Sequence, residues 1–302
     1  MDHTGIIPLF KPAGFTSHDC VMKLRGILRT KKVGHTGTLD PEVTGVLPIC
    51  IGRATKIAEY MNEYPKTYIG EVTLGIATTT EDAGGEVVEE KVVESSLTHE
   101  DIRKVIEQFK GPIKQVPPMY SAVKINGKKL YEYARKGQTV VRPERDVNIY
   151  ELEILEELKI QNNVATFGFK VHCSKGTYVR TLAVDIGKAL GYPAHMSNLQ
   201  RTGAGPFTLE DCYTFEQLEE KVAQGNITDS LMPIETAIDH FPKMTVDDTV
   251  AEKIKNGSVL PLSMELGDER ISIYNEEGEC LAIYRKHPTK EGLMKPEKML
   301  KI

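Results

Sequence analysis

The chain has no long apolar run. No stretch approaches the ~20 consecutive apolar residues that a membrane-spanning helix requires. Its first residues, MDHTGIIPLFKP, also lack the basic segment and longer apolar segment of a secretory leader. These absences predict a protein that stays in the cytoplasm. No segment requires another subunit, so we expect a monomer.

The cysteines are few and scattered. No two of them form a CxxC pair, and none has a histidine at zinc-ligand spacing. They are Cys20, Cys50, Cys173, Cys212 and Cys280. This pattern predicts reduced, mostly buried thiols and argues against a disulfide framework or a structural metal. The chain also lacks the GxGxxG pattern of dinucleotide binding, so we expect neither a metal nor a cofactor.

The chain has no excess of basic residues, since its net charge is −5. This charge is mildly unfavourable for nucleic-acid binding. The charges are segregated, however. Residues 80–101 are strongly acidic, whereas residues 124–145 hold seven basic residues against Glu132 and Glu144. Such a segment can hold a polyanion, although a solvated charged loop is the alternative interpretation.

Hydrophobic periodicity and capping residues predict mixed secondary structure. Helices are predicted from Thr98 to Gly111, from Ser17 as N-cap, from Thr181 to Gly191, and from Thr214 to Gly225. Strands are predicted over 66–75, 147–155 and 164–173, from alternating or β-branched residues. Because strands and helices do not alternate regularly, we expect an α+β fold with a mixed, largely antiparallel sheet flanked by helices.

The pattern changes after about residue 240. The segment RISIYNEEGECLAIYRK predicts a hairpin in which Ile271 and Ile273 face Leu281 and Ile283. Short strands and Gly or Pro turns fill the rest. We therefore predict one domain over 1–240 and a small β-barrel over 241–302, which we call the C-terminal module.

The segment HTGTLDPEVTGVLP surrounds a single carboxylate, Asp40, with residues that control the backbone. Asp followed by Pro41 is a common helix start, and this is the structural interpretation. The functional interpretation is that Gly34, Gly37 and Gly45 permit backbone conformations that hold a carboxylate against a ligand. Both remain open from spacing alone.

Several ordered segments then resemble the TruB family of pseudouridine synthases. GHTGTLDP followed by TGVLP resembles the family's catalytic motif. The others are LFKPAGFTSHD, KTYIGEVTLG, MYSAVKINGKKLYEYARKG, HCSKGTYVRTLAVDIGKALG and LQRTGAGPF. Together they span about residues 5–207, two-thirds of the chain. One departure is Gln200, where the family usually has arginine; it affects one phosphate or backbone contact and not the chemistry.

The resemblance implies a pseudouridine-synthase domain followed by a PUA domain, which contacts the acceptor end of tRNA. It also implies that residues 117–146 are an insertion that grips RNA, which we call the basic insertion. It implies isomerisation of the uridine at position 55 in the tRNA T-loop, without a cofactor and with Asp40 as nucleophile. An aspartate is ionised at neutral pH, and Arg180 is implied as the partner that keeps it charged. Whether Asp40 attacks the ribose C1′ or the uracil ring stays open.

The resemblance also assigns the pocket. Tyr68 would stack on the flipped uracil and help to manage the C5 proton, Tyr178 would form an aromatic wall, and Leu199 would line the same pocket. His35 would enter the RNA loop and hold the nucleotide out. Without the resemblance, the two tyrosines would be ordinary packing residues and His35 a turn residue. The basic residues expected to bind RNA are Lys11, Lys124, Lys128, Lys129, Arg135 and Arg201.

Two rival functions remain. An RNA chaperone would use the same surface to fold tRNA without needing Asp40. A nucleoside or glycoside hydrolase would use Asp40 and Glu42 as a carboxylate pair, although the basic insertion has no role in that mechanism.

Overall fold

The structure, a computed structural model, describes residues 3–264 and 270–301. Strands and short helices alternate irregularly along the chain. The strands are β1 (Gly5–Lys11), β2 (Val33–His35), β3 (Thr44–Ile51), β4 (Lys66–Leu74), β5 (Ile76–Thr78), β6 (Val87–Glu90), β7 (Gly111–Gln115), β8 (Lys124–Ile125), β9 (Lys128–Lys129), β10 (Arg145–Ile154), β11 (Lys159–Gln161), β12 (Val164–Cys173), β13 (Ala194–Ala204), β14 (Phe207–Thr208), β15 (Lys243–Thr245), β16 (Leu260–Pro261), β17 (Arg270–Tyr274), β18 (Cys280–Lys286) and β19 (Leu293–Met299).

The helices are α1 (Ser17–Leu28), α2 (Ala58–Met61), α3 (His99–Glu107), α4 (Leu130–Ala134), α5 (Val179–Leu190), α6 (Phe215–Gln224) and α7 (Asp248–Lys255). Within residues 3–264 and 270–301, short 3₁₀ helices lie at Gly52–Ile57, Leu209–Asp211, Ile227–Ser230 and Ile234–Ala237. Across the described residues, no helix combines the length and apolarity needed to cross a membrane.

One large sheet organises most of the chain. Its main path is β1-β3-β13-β4-β12-β10-β7, and every pair along it is antiparallel except β13 with β3. β2 pairs with the outer part of β3. The centre of the sheet therefore brings β4, β12 and β13 side by side, next to the β2–β3 connection. The predicted mixed, largely antiparallel α+β fold is confirmed.

Most predicted elements are confirmed, with small shifts at their ends. Thr98 caps α3 in a capping box with Asp101, but the helix ends at Glu107 because β7 already begins at Gly111. The prediction that Ser17 caps α1 is wrong. Thr16 is the N-cap and forms the capping box, which leaves the Ser17 hydroxyl free for the tertiary contact described below.

The C-terminal module is a curled, half-barrel sheet in the order β15-β17-β18-β19-β16. The predicted hairpin is confirmed, but its register is not. Ile271 pairs with Tyr284 and Ile273 with Ala282, because Asn275 hydrogen-bonds Glu279 and a bulge follows Ile273.

In the part of the chain that the structure describes, the apolar core has three parts. The largest lies within the main sheet and the helices that cover it. A second belongs to the C-terminal module alone. A third joins the two: Val46 and Tyr60 pack in the same cluster as Phe241, Ile283 and Leu300. All five cysteines are unpaired and only Cys212 is partly exposed, as predicted.

Candidate active site

A cleft of about 870 Å³ opens beside the centre of the main sheet. This volume lies within the range of small-molecule sites. Its walls come from β4, β13, the loop between β2 and β3, the start of α5 and both ends of the basic insertion. Asp40, Tyr68, Tyr178, Arg180 and Leu199 all line it. The structure thus brings together the residues that the sequence motifs assigned to the reaction.

Asp40 lies on the loop of residues 36–43 that joins β2 to β3, which we call the Asp40 loop. Residues 41 and 42 form a turn that leads into β3 and do not start a helix. The backbone oxygen of Asp40 accepts a hydrogen bond from Val43 at 3.1 Å, which closes that turn. The structural interpretation of the Asp-Pro pair as a helix start is therefore wrong, and the side chain is free to face the cleft.

Three side chains hold the Asp40 loop by its backbone. The Ser17 hydroxyl accepts from the Leu39 N–H at 2.9 Å. The Lys11 ammonium is fully buried and donates to the carbonyl of Pro41 at 2.7 Å. The Arg201 guanidinium donates to the carbonyl of Gly37 at 2.9 Å, and this side chain is also buried. These bonds fix the loop on both sides of Asp40.

The structure therefore places Lys11 and Arg201 differently from the RNA contacts predicted for them. Lys11 also donates to the carbonyls of Pro12 at 2.9 Å and Phe15 at 2.5 Å, so all three of its N–H donors are used. Arg201 donates a further bond to Val46 at 2.7 Å while its side chain reaches the floor of the cleft. Both residues act on the loop rather than on a surface that meets RNA phosphates.

Two glycines near Asp40 are needed for steric reasons. Gly45 has a φ of +109°, and a Cβ there would lie 2.1 Å from the backbone oxygen of Arg201. Gly37 has a φ of +66° and passes against the Arg201 guanidinium. Gly34 does not share this requirement, because the atom nearest to a Cβ there is 3.9 Å away. The prediction of special backbone geometry holds for Gly37 and Gly45 only.

Arg180, near the N-terminus of α5, is the buried cation beside Asp40. Its Nε lies 3.1 Å from Asp40 Oδ2, and its side chain is only 6% exposed, whereas that of Asp40 is 45% exposed. Its other nitrogens donate to the carbonyls of Thr80 at 2.8 Å and Tyr120 at 2.9 Å, and one lies 3.4 Å from Asp82 Oδ2. Held by these contacts, the guanidinium forms an ion pair with the Asp40 carboxylate.

The protonation of Asp40 reflects competing influences. Burial raises the pKa of its carboxyl above the ordinary aspartate value, and the neighbouring Asp82 carboxylate adds to that rise, while Arg180 and Lys11 oppose it. The two cations therefore support the ionised form that a nucleophile requires. An aspartate in this setting is also less hydrated than one in water.

Tyr68 and Leu199 come from adjacent strands, β4 and β13. Tyr68 pairs with Arg201 across these strands, and its burial raises the pKa of its phenol, so it is neutral at neutral pH. Tyr178 immediately precedes α5, and Gln115 holds its backbone through two bonds: Nε2 donates to the carbonyl at 3.2 Å and Oε1 accepts from the N–H at 3.0 Å. Two rings and one aliphatic side chain therefore line the cleft near Asp40.

His35 ends β2, just before the Asp40 loop. Burial lowers the pKa of its imidazole, with His18 and Arg201 adding to the effect, so the ring is neutral at neutral pH. Its Nδ1 is buried with no hydrogen-bond partner among the described residues, and His35 is not one of the residues that line the cleft. The structure leaves its predicted role in the RNA loop untested.

The basic insertion forms one rim of the cleft. Its β8–β9 hairpin turns at Asn126 and Gly127, which both have positive φ, and α4 follows. Lys124, Lys128 and Arg135 are exposed, and Lys129 is half-buried. Lys129 and Arg135 both lie over the ring of Tyr131, at 5.4 and 5.2 Å from its centroid.

Gln200 takes a structural role in this chain. Its Nε2 donates to the Thr44 hydroxyl at 3.2 Å, beside the short parallel pairing of β13 with β3. The Gln200 side chain thus joins two strands next to the Asp40 loop.

The residues that hold Arg180 and Tyr178 were not predicted from the sequence. Asp82 lies in the acidic stretch, where its charge alone does not indicate a contact with Arg180. Its Oδ1 accepts from Thr80 at 2.5 Å and from the Gly84 N–H at 3.0 Å, a local turn that the letters TEDAGG could have indicated. Tyr120 acts through its carbonyl and Gln115 through a contact distant in sequence, so neither carries a sequence signal.

Two known protein families match the chain. Residues 25–179 match the family described as "TruB family pseudouridylate synthase (N terminal domain)". Residues 180–239 match the one described as "tRNA pseudouridylate synthase B C-terminal domain". The chain is therefore a pseudouridylate synthase, an enzyme that makes pseudouridine.

The similar proteins found by sequence comparison are tRNA pseudouridine synthases. The tRNA pseudouridine synthase B of Halalkalibacterium halodurans is 59% identical over 300 residues, which cover 99% of this chain and 98% of that protein. The protein of the same name from Bacillus subtilis is 55% identical over 300 residues, covering 98% and 97%. The chain belongs to the TruB family.

Solved structures share the fold. In a structure titled "Crystal Structure of a Cbf5-Nop10-Gar1 Complex", one chain is 28% identical with a TM-score of 0.76, covering 98% of this chain and 84% of that one. In a structure titled "Structure of H/ACA RNP bound to a substrate RNA containing 2'-deoxyuridine", one chain is 26% identical with a TM-score of 0.73, covering 99% of this chain and 85% of that one. These likenesses extend over the main sheet and the C-terminal module together.

Proposed function

We propose that this protein isomerises the uridine at position 55 in the T-loop of tRNA to pseudouridine, with Asp40 as the nucleophile. The observation that carries the proposal is the Asp40–Arg180 pair in a cleft lined by Tyr68, Tyr178 and Leu199. The names of the curated relatives supply the tRNA substrate.

The reaction needs a nucleophile and little else. The N1–C1′ bond breaks, the uracil turns, a C5–C1′ bond forms, the C5 proton is lost and N1 gains a proton. No net oxidation occurs and no group is added, so the isomerisation requires no cofactor. Asp40 can provide the carboxylate at either C1′ or the ring, and Arg180 holds it charged and aimed.

The pocket residues match the needs of a flipped base. Stacking on Tyr68 and Tyr178 would replace the stacking that uracil loses when it leaves the RNA, a cost of a few kcal/mol. Leu199 would close the apolar side of the pocket. Tyr68, neutral and beside Asp40 in the cleft, is placed to assist the transfer of the C5 proton.

The exposed cations of the basic insertion would bind the phosphates of the T-stem-loop, while its tyrosines stack on loop nucleotides. We further propose a catalytic domain over residues 1–240 and a PUA-like RNA-binding domain over 241–302. His35 would help to hold the target nucleotide out of the loop. We place the protein in the cytoplasm as a monomer.

The test is tritium release from a tRNA transcript labelled at uracil C5. Wild type should release one equivalent per tRNA, and Asp40→Asn should release none, while its tRNA affinity stays within a few-fold because other residues grip the RNA. The matched control is Glu42→Gln, an exposed carboxylate two residues away, which should keep full activity.

The same assay separates the rivals. Free uracil among the products, together with loss of activity in Glu42→Gln, would identify a hydrolase that uses a carboxylate pair. Absence of release from wild type with binding intact would leave a tRNA-folding protein. Loss of binding in Asp40→Asn would contradict its role as nucleophile alone.

A further inference from the structure

A short turn joins α2 to β4 and forms part of the cleft wall. Asn62 begins this turn and Lys66 follows it, and both residues line the cleft. The Lys66 ammonium donates to the carbonyls of Asn62 at 2.9 Å and Tyr64 at 2.6 Å, so it holds the turn closed. We call residues 62–65 the cleft turn. Tyr68 lies only two residues beyond Lys66 on β4.

The cleft turn also reaches the Asp40 loop. A Cβ at Gly37 would lie 3.6 Å from Lys66 Cε, so the aliphatic stem of Lys66 passes directly beside Gly37. Lys66 is 9% exposed, and it shares this region with the buried Arg201. Since densely packed neighbours move together, a displaced cleft turn would move Lys66 against the Asp40 loop and shift the start of β4.

The other side of the cleft turn contacts the C-terminal module. Arg270, on β17, places its Nη1 3.3 Å from Glu63 Oε1 in the cleft turn and its Nε 2.9 Å from Glu297 Oε2 on β19. The guanidinium carbon also lies 5.1 Å from the ring centroid of Tyr60. These side chains are shielded: Arg270 is 21%, Glu63 31% and Glu297 15% exposed.

Aromatic rings pack around this junction, with Tyr60 just before the cleft turn and His240 just before the C-terminal module. The rings of Tyr60 and Phe241 meet edge to face at 5.2 Å, and those of Tyr64 and His240 at 4.4 Å. His240 Nε2 also lies 4.0 Å from Glu63 Oε2. The cleft turn is thus bounded by the C-terminal module on one side and by the cleft on the other.

We propose that Arg270 is a positioning residue for pseudouridine formation: through Glu63 it fixes the cleft turn, and the cleft turn fixes Lys66 and the beginning of β4 beneath Tyr68. The C-terminal module then contributes to the chemical step as well as to any binding of tRNA. This inference rests on the proposed function, because its effect is measured on that reaction.

The chain offers a matched control. Lys298 of β19 lies 2.7 Å from Glu59 of α2, so it too links the C-terminal module to the segment before β4. The two side chains are more exposed, at 33% for Lys298 and 57% for Glu59, and the pair does not include the cleft turn. An exposed pair of this kind contributes little to stability. Breaking it should leave the cleft unchanged.

The experiment is single-turnover tritium release with enzyme in excess, which reports the chemical step, beside a fluorescence-anisotropy titration, which reports affinity. The substrate is the isolated T-stem-loop RNA, with full-length tRNA in parallel. Arg270→Met and the milder Glu63→Gln should each lower the single-turnover rate about tenfold, as expected for slight misplacement of the reacting groups. Affinity for the stem-loop should stay within about twofold.

A control variant and a rescue variant test whether the effect is specific to the Arg270–Glu63 pair. Lys298→Met should change neither rate nor affinity, and Arg270→Lys should recover part of the rate because it keeps the charge next to Glu63. All rates are taken below the onset of melting of each variant. A full rate in both Arg270→Met and Glu63→Gln would overturn the inference. It would also be overturned if these two variants lost no more rate than the control Lys298→Met. Absence of release by wild type would instead refute the proposed function.

Discussion

Replacement of Arg180 by alanine tests the centre of the site. The side chain is nearly inaccessible and serves four acceptors: the carboxylates of Asp40 and Asp82 and the carbonyls of Thr80 and Tyr120. Alanine removes all of these contacts at once and leaves two negative charges close together without their cation.

The magnitude follows from those contacts. Two carbonyls that lose a donor cost roughly 1 kcal/mol each. Loss of one partner from a fully buried ion pair costs about 3–5 kcal/mol. That figure must be reduced here because Asp40 and Asp82 are 45% and 26% exposed, so water can replace part of the lost interaction. We expect a total of about 3 kcal/mol, or a melting temperature lower by about 6–12 °C.

The effect on activity should exceed the effect on stability. Loss of a positioned donor at a reacting charge typically lowers kcat by about 10²–10³-fold. Arg180 lowers the pKa of Asp40, so its removal raises that pKa further, and the acid limb of the pH–rate profile should move to higher pH. Calorimetry and single-turnover tritium release across pH measure both. An Arg180→Ala variant with unchanged melting and full activity would refute the pairing.

Three further predictions concern the groups around Asp40. Asp82→Asn should lower kcat about tenfold because Arg180 loses one of the groups that hold it. It should also move the acid limb of the pH–rate profile to lower pH, since the Asp82 charge raises the pKa of Asp40. An unmoved acid limb would contradict this effect of Asp82 on Asp40. Gly45→Ala should cost about 3 kcal/mol or more in thermal melts, because its Cβ meets a backbone oxygen, whereas Gly34→Ala, where space is available, should cost under about 1 kcal/mol. Lys11→Met should destabilise the protein by about 3 kcal/mol, about 1 kcal/mol for each lost hydrogen bond. It should leave the salt dependence of tRNA affinity unchanged. A decrease of about one in the slope of log affinity against log salt concentration would instead support the predicted phosphate contact.

Local features of the sequence predicted much of the fold. Capping boxes such as Thr98 with Asp101, and the left-handed glycines that end α5 and α6, depend on residues three or four positions apart. Alternation over Val164–Cys173 identified β12 to the residue. The mixed sheet followed from the order of these elements. Contacts between residues within one helical turn can be predicted from the sequence, because the local chain geometry brings the partners together.

Contacts between distant segments were not readable in this way. Ser17 looked like a helix cap, yet the neighbouring Thr16 caps α1 and the Ser17 hydroxyl binds Leu39, 22 residues away. Gln115 holds Tyr178 across 63 residues. The hairpin register of the C-terminal module depended on a bulge after Ile273. In each case the decisive partner is chosen by tertiary packing, which sequence spacing does not encode.

The basic residues show why a motif can locate a site and still leave individual roles open. A lysine beside the catalytic motif can donate to an RNA phosphate or to backbone carbonyls, and both demand the same side chain. Burial decides between them: Lys11 and Arg201 are enclosed and bind carbonyls of the Asp40 loop and its neighbours, whereas Lys124 and Lys128 remain exposed. A buried ammonium is stable only when its donors are satisfied, so the carbonyls around Lys11 must face inward. The inward-facing carbonyls of the Asp40 loop are then a consequence of burying two cations beside it.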